Sequence, residues 1–230
     1  MTAAPARRRP IVAIDGPVGA GKSTVAWAVA RRLGLRYVDT GAMYRSVAWA
    51  ALQRGMDLRD EDAVTELARS LGIEFRSDAE GQRVWVDGRD VTDALRSPEV
   101  SDGASIVSVY PGVREAMVAI QRALGAQGGV VMEGRDIGTV VFPDAEVKIF
   151  LDASLEERAR RRHRELQARG LNVDLDAVRR AEEERDRRDR TRMHSPLQRA
   201  PGAVIIDTTQ MPPDDVIERI VQLALRAKNA

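Results

Sequence analysis

Apolar residues fall into short runs separated by longer, mixed stretches. "IVAID", Ile11 to Asp15, is a β-branched run bounded by Pro10 and Gly16 and reads as a buried strand. "LRYVD" (Leu35 to Asp39), "GVVME" (Gly129 to Glu133), "VKIFLD" (Val147 to Asp152) and "AVIIDT" (Ala203 to Thr208) are four further strand candidates. Helical patterns separate most of them. "STVAWAVARRLG" closes on Gly34, and Ser154-Leu-Glu-Glu157 is a capping box that opens the helix after "VKIFLD". Apolar strands alternating with helices predict an α/β fold, a five-stranded parallel sheet flanked by helices. One stretch changes period. Residues 72–92 alternate apolar and polar positions, and Asp87-Gly88 between "RVWV" and "RDV" is a hairpin turn signal, so a small antiparallel β insert is expected there.

Composition narrows the field. The 230 residues allow one domain with inserts or two small ones, and 43% hydrophobic with 31% charged residues describes a folded globular chain. Thirty-six Lys+Arg against 35 Asp+Glu argue against a generally basic nucleic-acid binder. The absence of cysteine excludes disulfides, zinc–thiolate sites and thiol nucleophiles. No run approaches the ~18 apolar residues of a membrane span. "MTAAPARRRP" has no apolar region behind its basic residues, so a short tail is expected, with the cytoplasm as default compartment. Only Lys22, Lys148 and Lys228 are lysines, in a chain whose usual cation is arginine.

Lys22 sits in "GPVGAGKS", Gly16 to Ser23, which fits G-x-x-x-x-G-K-[ST] between a strand and a helix. Glycines let the backbone curl so that several N–H groups converge on phosphate oxygens, and the helix N-terminus adds its positive end. Lys22 can reach the β- and γ-phosphates and Ser23 can hold magnesium. This predicts nucleoside triphosphate binding and leaves the fate of the phosphate open. A triphosphatase needs an attacking water; a small-molecule kinase needs a second anion site and a lid that excludes water.

Two strand ends offer that second site. "DTGAMYR" follows the second strand: Thr40 can donate to an acceptor oxygen and Arg45 carries a planar fork suited to phosphate. "EGRDIGTVVFPDA" follows the third, with Arg135 for a phosphate and Asp136 for an amino group or a water-bridged metal. The first also reads as a helix start with a surface arginine, the second as an Arg–Asp surface pair. Between Glu156 and Arg199 the pattern is helical, with fourteen arginines against ten acids. Within "ERDRRDRTR" (Glu184 to Arg192), Arg185, Arg188, Asp189 and Arg192 share one helix face, which excludes an ordinary apolar core helix. Three readings remain: a solvated, salt-bridged helix; an RNA-binding patch blunted by its acids; or a mobile flap whose arginines neutralise transferring phosphate while its acids hold them when the site is empty. His163 and His194 read as surface residues, and Trp27, Trp49 and Trp85 as packing residues.

Taken together, "DGPVGAGKST", "DTGAMYR", "EGRDIGTVVFPDAEVKIFLDAS" and "ERDRRDRTR" stand in the order and spacing of bacterial cytidylate kinases, and the chain resembles that family from about Ile11 to Leu225. The resemblance implies a phosphate-loop kinase fold. Residues 10–42, 105–157 and 198–230 would form the core, 43–104 the monophosphate-binding segment with the β insert, and 158–197 an arginine-rich lid. It implies transfer of the γ-phosphoryl group from ATP, with Mg²⁺, to CMP or dCMP. Gly16, Pro17, Val18, Gly19, Ala20, Gly21, Lys22, Ser23 and Thr24 would bind ATP phosphates, Ser23 the metal, and Arg158 ATP, with Arg161 and Arg162 beside it. Thr40, Arg45 and Arg135 would surround the CMP phosphate. Ser105 and Arg114, with Asp136, would read cytosine, whose amino donor and acceptor edge suit a carboxylate, a hydroxyl and a guanidinium. Arg185 and Asp189 would contact the sugar and Arg192 the phosphate; Lys22, Arg135, Arg185 and Arg192 would carry catalysis. With no strong self-associating apolar face evident, a monomer that binds neither nucleic acid nor membrane is expected. A kinase for another small acceptor such as UMP, and an RNA-binding regulatory NTPase, are the alternatives. Arg190 replaces a serine common in the family, and Pro201-Gly202 a more polar pair.

Overall fold

A computed structural model of the chain describes residues 9–77 and 81–228; residues 1–8 of the expected tail and 78–80 of the expected insert lie outside them. The chain divides into two compact units, residues 1–37 with 127–230, and residues 38–126.

In the first unit, β1 (Ile11–Asp15) runs parallel to β6 (Val130–Gly134) on one side and β7 (Val147–Asp152) on the other, and β7 continues to β8 (Val204–Asp207). With β2 (Arg36–Asp39) the sheet has five strands in the order β2-β6-β1-β7-β8. All five expected strands are present, with ends shifted by a residue at most. Every residue of β1 and β6 is buried, because helices cover both faces. α1 (Lys22–Leu33) contributes Val25 and Val29 to this core and α8 (Pro213–Lys228) contributes Val216, Ile220 and Ala224. Spacings of four residues place each set on one helix face. α1 stops at Gly34, which takes the left-handed conformation and returns its N–H to the helix. α6 (Leu155–Ala168) begins at Ser154, whose hydroxyl accepts from Glu157 N at 3.3 Å; only this half of the expected capping box forms, because Ser154 N donates to Thr209 Oγ1 and the Glu157 carboxylate turns to Arg161. α7 (Leu175–Thr191) packs on α6 through a small apolar cluster of Ala159, Leu166 and Val178.

The second unit begins at the end of β2. Asp39 caps α2 (Thr40–Gln53) by accepting from Ala42 N. α3 (Glu61–Ser70), α4 (Pro98–Val107) and α5 (Pro111–Gly125) complete its helical part around Met43, Val47, Val64, Val107, Val113 and Met117. α2 and α4 approach so closely that a Cβ on Gly103 would lie 3.1 Å from that of Ala48. The expected insert is an antiparallel sheet of β3 (Ile73–Ser77), β4 (Gln82–Val86) and β5 (Arg89–Asp90). Asp87 and Gly88 both have positive φ, 49° and 80°, the geometry of the tight turn that Asp-Gly favours.

The tryptophans pack separately, Trp27 edge-on to Tyr37 and Trp85 beneath Arg76. His163 departs from the surface reading: it is half-buried and its Nε2 meets Val173 O at 3.0 Å, tying the α6–α7 connection.

Candidate active site

The glycine-rich loop leaves the end of the central strand. Gly16 has φ +151°, and a Cβ there would lie 2.0 Å from Leu151 O of β7, so no other residue fits without displacing backbone. The loop closes at Gly21, the left-handed residue before α1. Lys22 folds back over it, with Nζ donating to Pro17 O at 2.6 Å. Ser23 and Thr24, in the first turn of α1, are exposed. Burial pushes the Lys22 ammonium down to about 7; Arg135 and Arg185 push the same way, against Glu133 and Asp189. Lys22, Arg135, Arg185 and Asp189 therefore share one electrostatic neighbourhood.

Two buried acids at strand ends organise that neighbourhood, and neither was assigned a role from the sequence. Glu133 on β6 accepts from Tyr37 OH at 2.5 Å. Asp15, the last residue of β1, accepts from Ile137 N and Gly138 N, each at 2.8 Å. Burial raises its carboxyl to about 7 against both hydrogen bonds. These bonds fix the start of a single wide turn, Ile137–Val141, in which Phe142 N reaches back five residues to Ile137 O. Arg135 and the buried Asp136 immediately precede it. Strand ends facing a ligand crevice were the available signal for both acids.

Buried acids of α7 pin arginines of other elements. Arg135 Nε donates to Asp189 Oδ2 at 2.8 Å. Burial works against both charges, yet their mutual attraction holds the guanidinium above and the carboxyl below its ordinary range. Arg158 forms a bidentate pair with Asp186, at 2.6 and 3.1 Å. Glu182, Asp186 and Asp189 are all buried beside Val178, so α7 does pack a face inward, and two of its three acids, Asp186 and Asp189, are paired with arginines. Glu182 is pushed up by burial, against Arg185, Arg162 and Arg158. α7 ends at Thr191; Arg192 lies beyond it in extended conformation with Nε donating to Ser195 O at 2.7 Å, so it does not continue the face of Arg185 and Asp189.

In the second unit, Thr40 is buried in the first turn of α2, and Arg45 one turn later donates to Asp39 Oδ2 at 2.6 Å. Ser105 on α4 is 6% exposed and its Oγ has no hydrogen-bond partner. Arg114 on α5 is buried, donates to Ser108 O at 3.2 Å and lies over the Tyr44 ring at 5.6 Å. A buried hydroxyl without a partner costs roughly 1–3 kcal/mol, and a ligand that supplies the partner recovers it.

A glycine-rich loop with its lysine, on the central strand of a β2-β6-β1-β7-β8 parallel sheet and beside the half-buried guanidinium of Arg135, defines a phosphate-loop kinase fold. The family model described as cytidylate kinase matches residues 12–226, and the chain belongs to that family. It is 54% identical over 213 residues to the cytidylate kinase of Pelotomaculum thermopropionicum, covering 92% of this chain and 94% of the relative. It is 53% identical over 217 residues to that of Geobacillus kaustophilus, covering 94% and 97%. A bifunctional pantoate ligase/cytidylate kinase of Synechococcus sp. is 52% identical over 219 residues; these are 94% of this chain and only 40% of that longer protein. Among solved structures, a gluconokinase from Sinorhizobium meliloti aligns with TM-score 0.49 at 15% identity over 97% of this chain and 96% of its own. Shikimate kinase from Acinetobacter baumannii in complex with shikimate aligns with TM-score 0.46 at 18% identity over 96% of each chain.

Proposed function

We propose that this chain transfers the γ-phosphoryl group of ATP to CMP or dCMP, giving CDP or dCDP and ADP. One observation carries the reading: relatives named cytidylate kinase match end to end, at 92–94% of this chain and 94–97% of their own length. The local geometry supports it. The loop Gly16–Thr24 takes the triphosphate, and Lys22 swings from Pro17 O to the β- and γ-phosphates. Arg135 exchanges Asp189 for phosphate, and Arg185 and Arg192 add countercharge as the γ-group moves. Thr40 and Arg45 take the acceptor phosphate, Ser105, Arg114 and Asp136 the cytosine edge, and Asp189, once released, a sugar hydroxyl. The acceptor oxygen is already ionised, so transfer proceeds in line, by positioning and charge stabilisation, without a covalent intermediate or general base.

Oxygen donors in the loop suit a hard cation. The exposed Ser23 hydroxyl and the Glu133 carboxylate, directly or through water, are the residues that would hold magnesium. Held there, magnesium would offset the negative charge of the triphosphate. In this reading residues 158–197 form the lid, 43–104 the acceptor segment and the remainder the core, and the enzyme works as a cytoplasmic monomer. No helix among the described residues is long and apolar enough to cross a membrane. Pairing of Arg135, Arg158, Arg162 and Arg187 with nearby acids favours a phosphate-handling lid over an RNA-binding patch.

A coupled ADP assay across CMP, dCMP, UMP, AMP, shikimate and no acceptor tests this. CMP and dCMP should raise ADP formation far above the acceptor-free rate. Preferred turnover of UMP or shikimate, or an acceptor-independent rate, would overturn it.

A further inference from the structure

Three consecutive carbonyls of the phosphate loop are each held from outside the loop by a different donor. Val18 O accepts from Arg158 Nη1 at 3.2 Å, Gly19 O from Arg161 Nη1 at 3.3 Å, and Ala20 O from Thr208 Oγ1 at 3.1 Å. Arg161 also grips Thr208, through Nη1 to Oγ1 at 3.0 Å and Nη2 to its carbonyl at 2.6 Å. A loop whose carbonyls are drawn outward presents its N–H groups inward, the condition for an anion nest. Arg158 is the central strut. Its Nε donates to Ala153 O at 3.0 Å, and its two Nη atoms form the fork with Asp186 while Nη1 reaches Val18 O. Four of its five N–H groups are thus engaged by protein, and only 4% of the side chain is exposed. The root of α6 presses so closely on the loop that a Cβ on Gly19 would lie 2.9 Å from Arg158 Cβ.

We infer that Arg158 and Asp186 form a pin at the root of the lid hairpin that shapes the phosphate loop, so that Arg158 governs ATP binding by positioning Val18 and not by touching the nucleotide. This rests on the ATP-binding reading above and gives Arg158 a different task from the one the family resemblance implies. Asp186, from the far end of α7, is what keeps a buried guanidinium in place. Without it, the charge is unpaired and the fork has reason to turn away from Val18 O toward water. The shape of the loop and the seating of α7 are then one variable.

The test is the affinity of Mg²⁺-ATP, measured calorimetrically in the full-length chain for wild type, Asp186→Asn, Arg158→Gln and their double variant, with amide hydrogen exchange of residues 16–21. Each single variant should weaken ATP by about tenfold, the double by no more than the weaker single, and loop amides should exchange faster in all three. Arg158→Lys, which keeps the charge but not the fork, should fail to restore binding. Thr208→Val removes the strut to Ala20 without exposing a buried charge, so it reports even if a charge variant unfolds; it should weaken ATP several-fold. Wild type that does not bind ATP refutes the ATP reading itself. Wild-type binding that survives unchanged in Asp186→Asn and Thr208→Val, while Arg158→Gln loses it, overturns the pin and makes Arg158 a direct ligand.

Discussion

Nucleotide binding should draw a proton onto the enzyme, and Lys22 sets the amount. Burial holds its ammonium at about 7, with Arg135 and Arg185 adding to the depression. A lysine titrating there is about half charged at pH 7 and about nine-tenths neutral at pH 8. Placing the β- and γ-phosphates beside it adds several negative charges in a poorly solvated site and restores the charged form. ATP itself is nearly fully ionised at pH 8, so uptake at that pH belongs to the protein. The expected stoichiometry is about 0.9 proton per ATP at pH 8, falling to about 0.1 at pH 6, where Lys22 is already charged. Above pH 7.5, ATP affinity should weaken by almost tenfold per pH unit. Calorimetry in buffers of different ionisation enthalpy measures the uptake directly. Lys22→Met, titrated at higher ATP, should abolish it, while Asp15→Asn should retain it and so exclude the other buried group raised to about 7. Binding enthalpies at pH 8 that do not depend on buffer would refute a depressed Lys22.

Further outcomes follow from individual contacts. Gly16→Ala should abolish ATP binding in an equilibrium assay, because its Cβ would fall 2.0 Å from Leu151 O and the loop has no room to yield. Ser105→Ala deletes a buried hydroxyl that has no partner, so the urea midpoint should hold or rise slightly, while KM for CMP climbs roughly two- to tenfold with kcat nearly unchanged. Arg192→Ala should lower kcat more than it weakens ATP binding; an unchanged kcat would remove Arg192 from the transition state. Stability should depend on pH through Asp15 and Lys22 with opposite signs. Asp15, raised to about 7 from 3.8, contributes stability below about pH 4 that is lost as pH climbs through 7. Lys22, lowered to about 7 from 10.5, makes the folded state gain stability as pH climbs from 7 toward 10.5. In urea titrations, Asp15→Asn should therefore lose less stability between pH 5 and 7.5 than wild type.

Local chemistry made much of this architecture readable in advance. The strands were legible because each is a short apolar run bounded by turn formers, and the hairpin because Asp87-Gly88 supplies two positive φ values. The phosphate loop was legible because its glycines answer to local sterics, and the Ser154 cap because it closes within one turn. What stayed hidden depends on residues distant in sequence. Asp15 and Glu133 are single acids at strand ends, and their partners, Ile137, Gly138 and Tyr37, lie 96 to 123 residues away. Asp186 reads as one acid among many on a charged helix until Arg158, 28 residues earlier, is placed against it. The inward face of α7 was unreadable for the same reason: apolar periodicity reports burial by hydrophobic contact and says nothing of burial by ion pairs. Ser105 and Arg114 carry no local pattern, and only the family resemblance raised them.

A crystal structure with CMP and a non-hydrolysable ATP analogue bound together puts the whole site to the test. The β- and γ-phosphates should lie in the loop of residues 16–24 with Lys22 turned away from Pro17 O. Guanidinium groups of Arg45 and Arg135 should lie on the CMP phosphate, and the Ser105 hydroxyl and Arg114 on the cytosine edge. A complex in which Arg135 keeps Asp189 and CMP touches none of Arg45, Ser105 or Arg114 would contradict this placement.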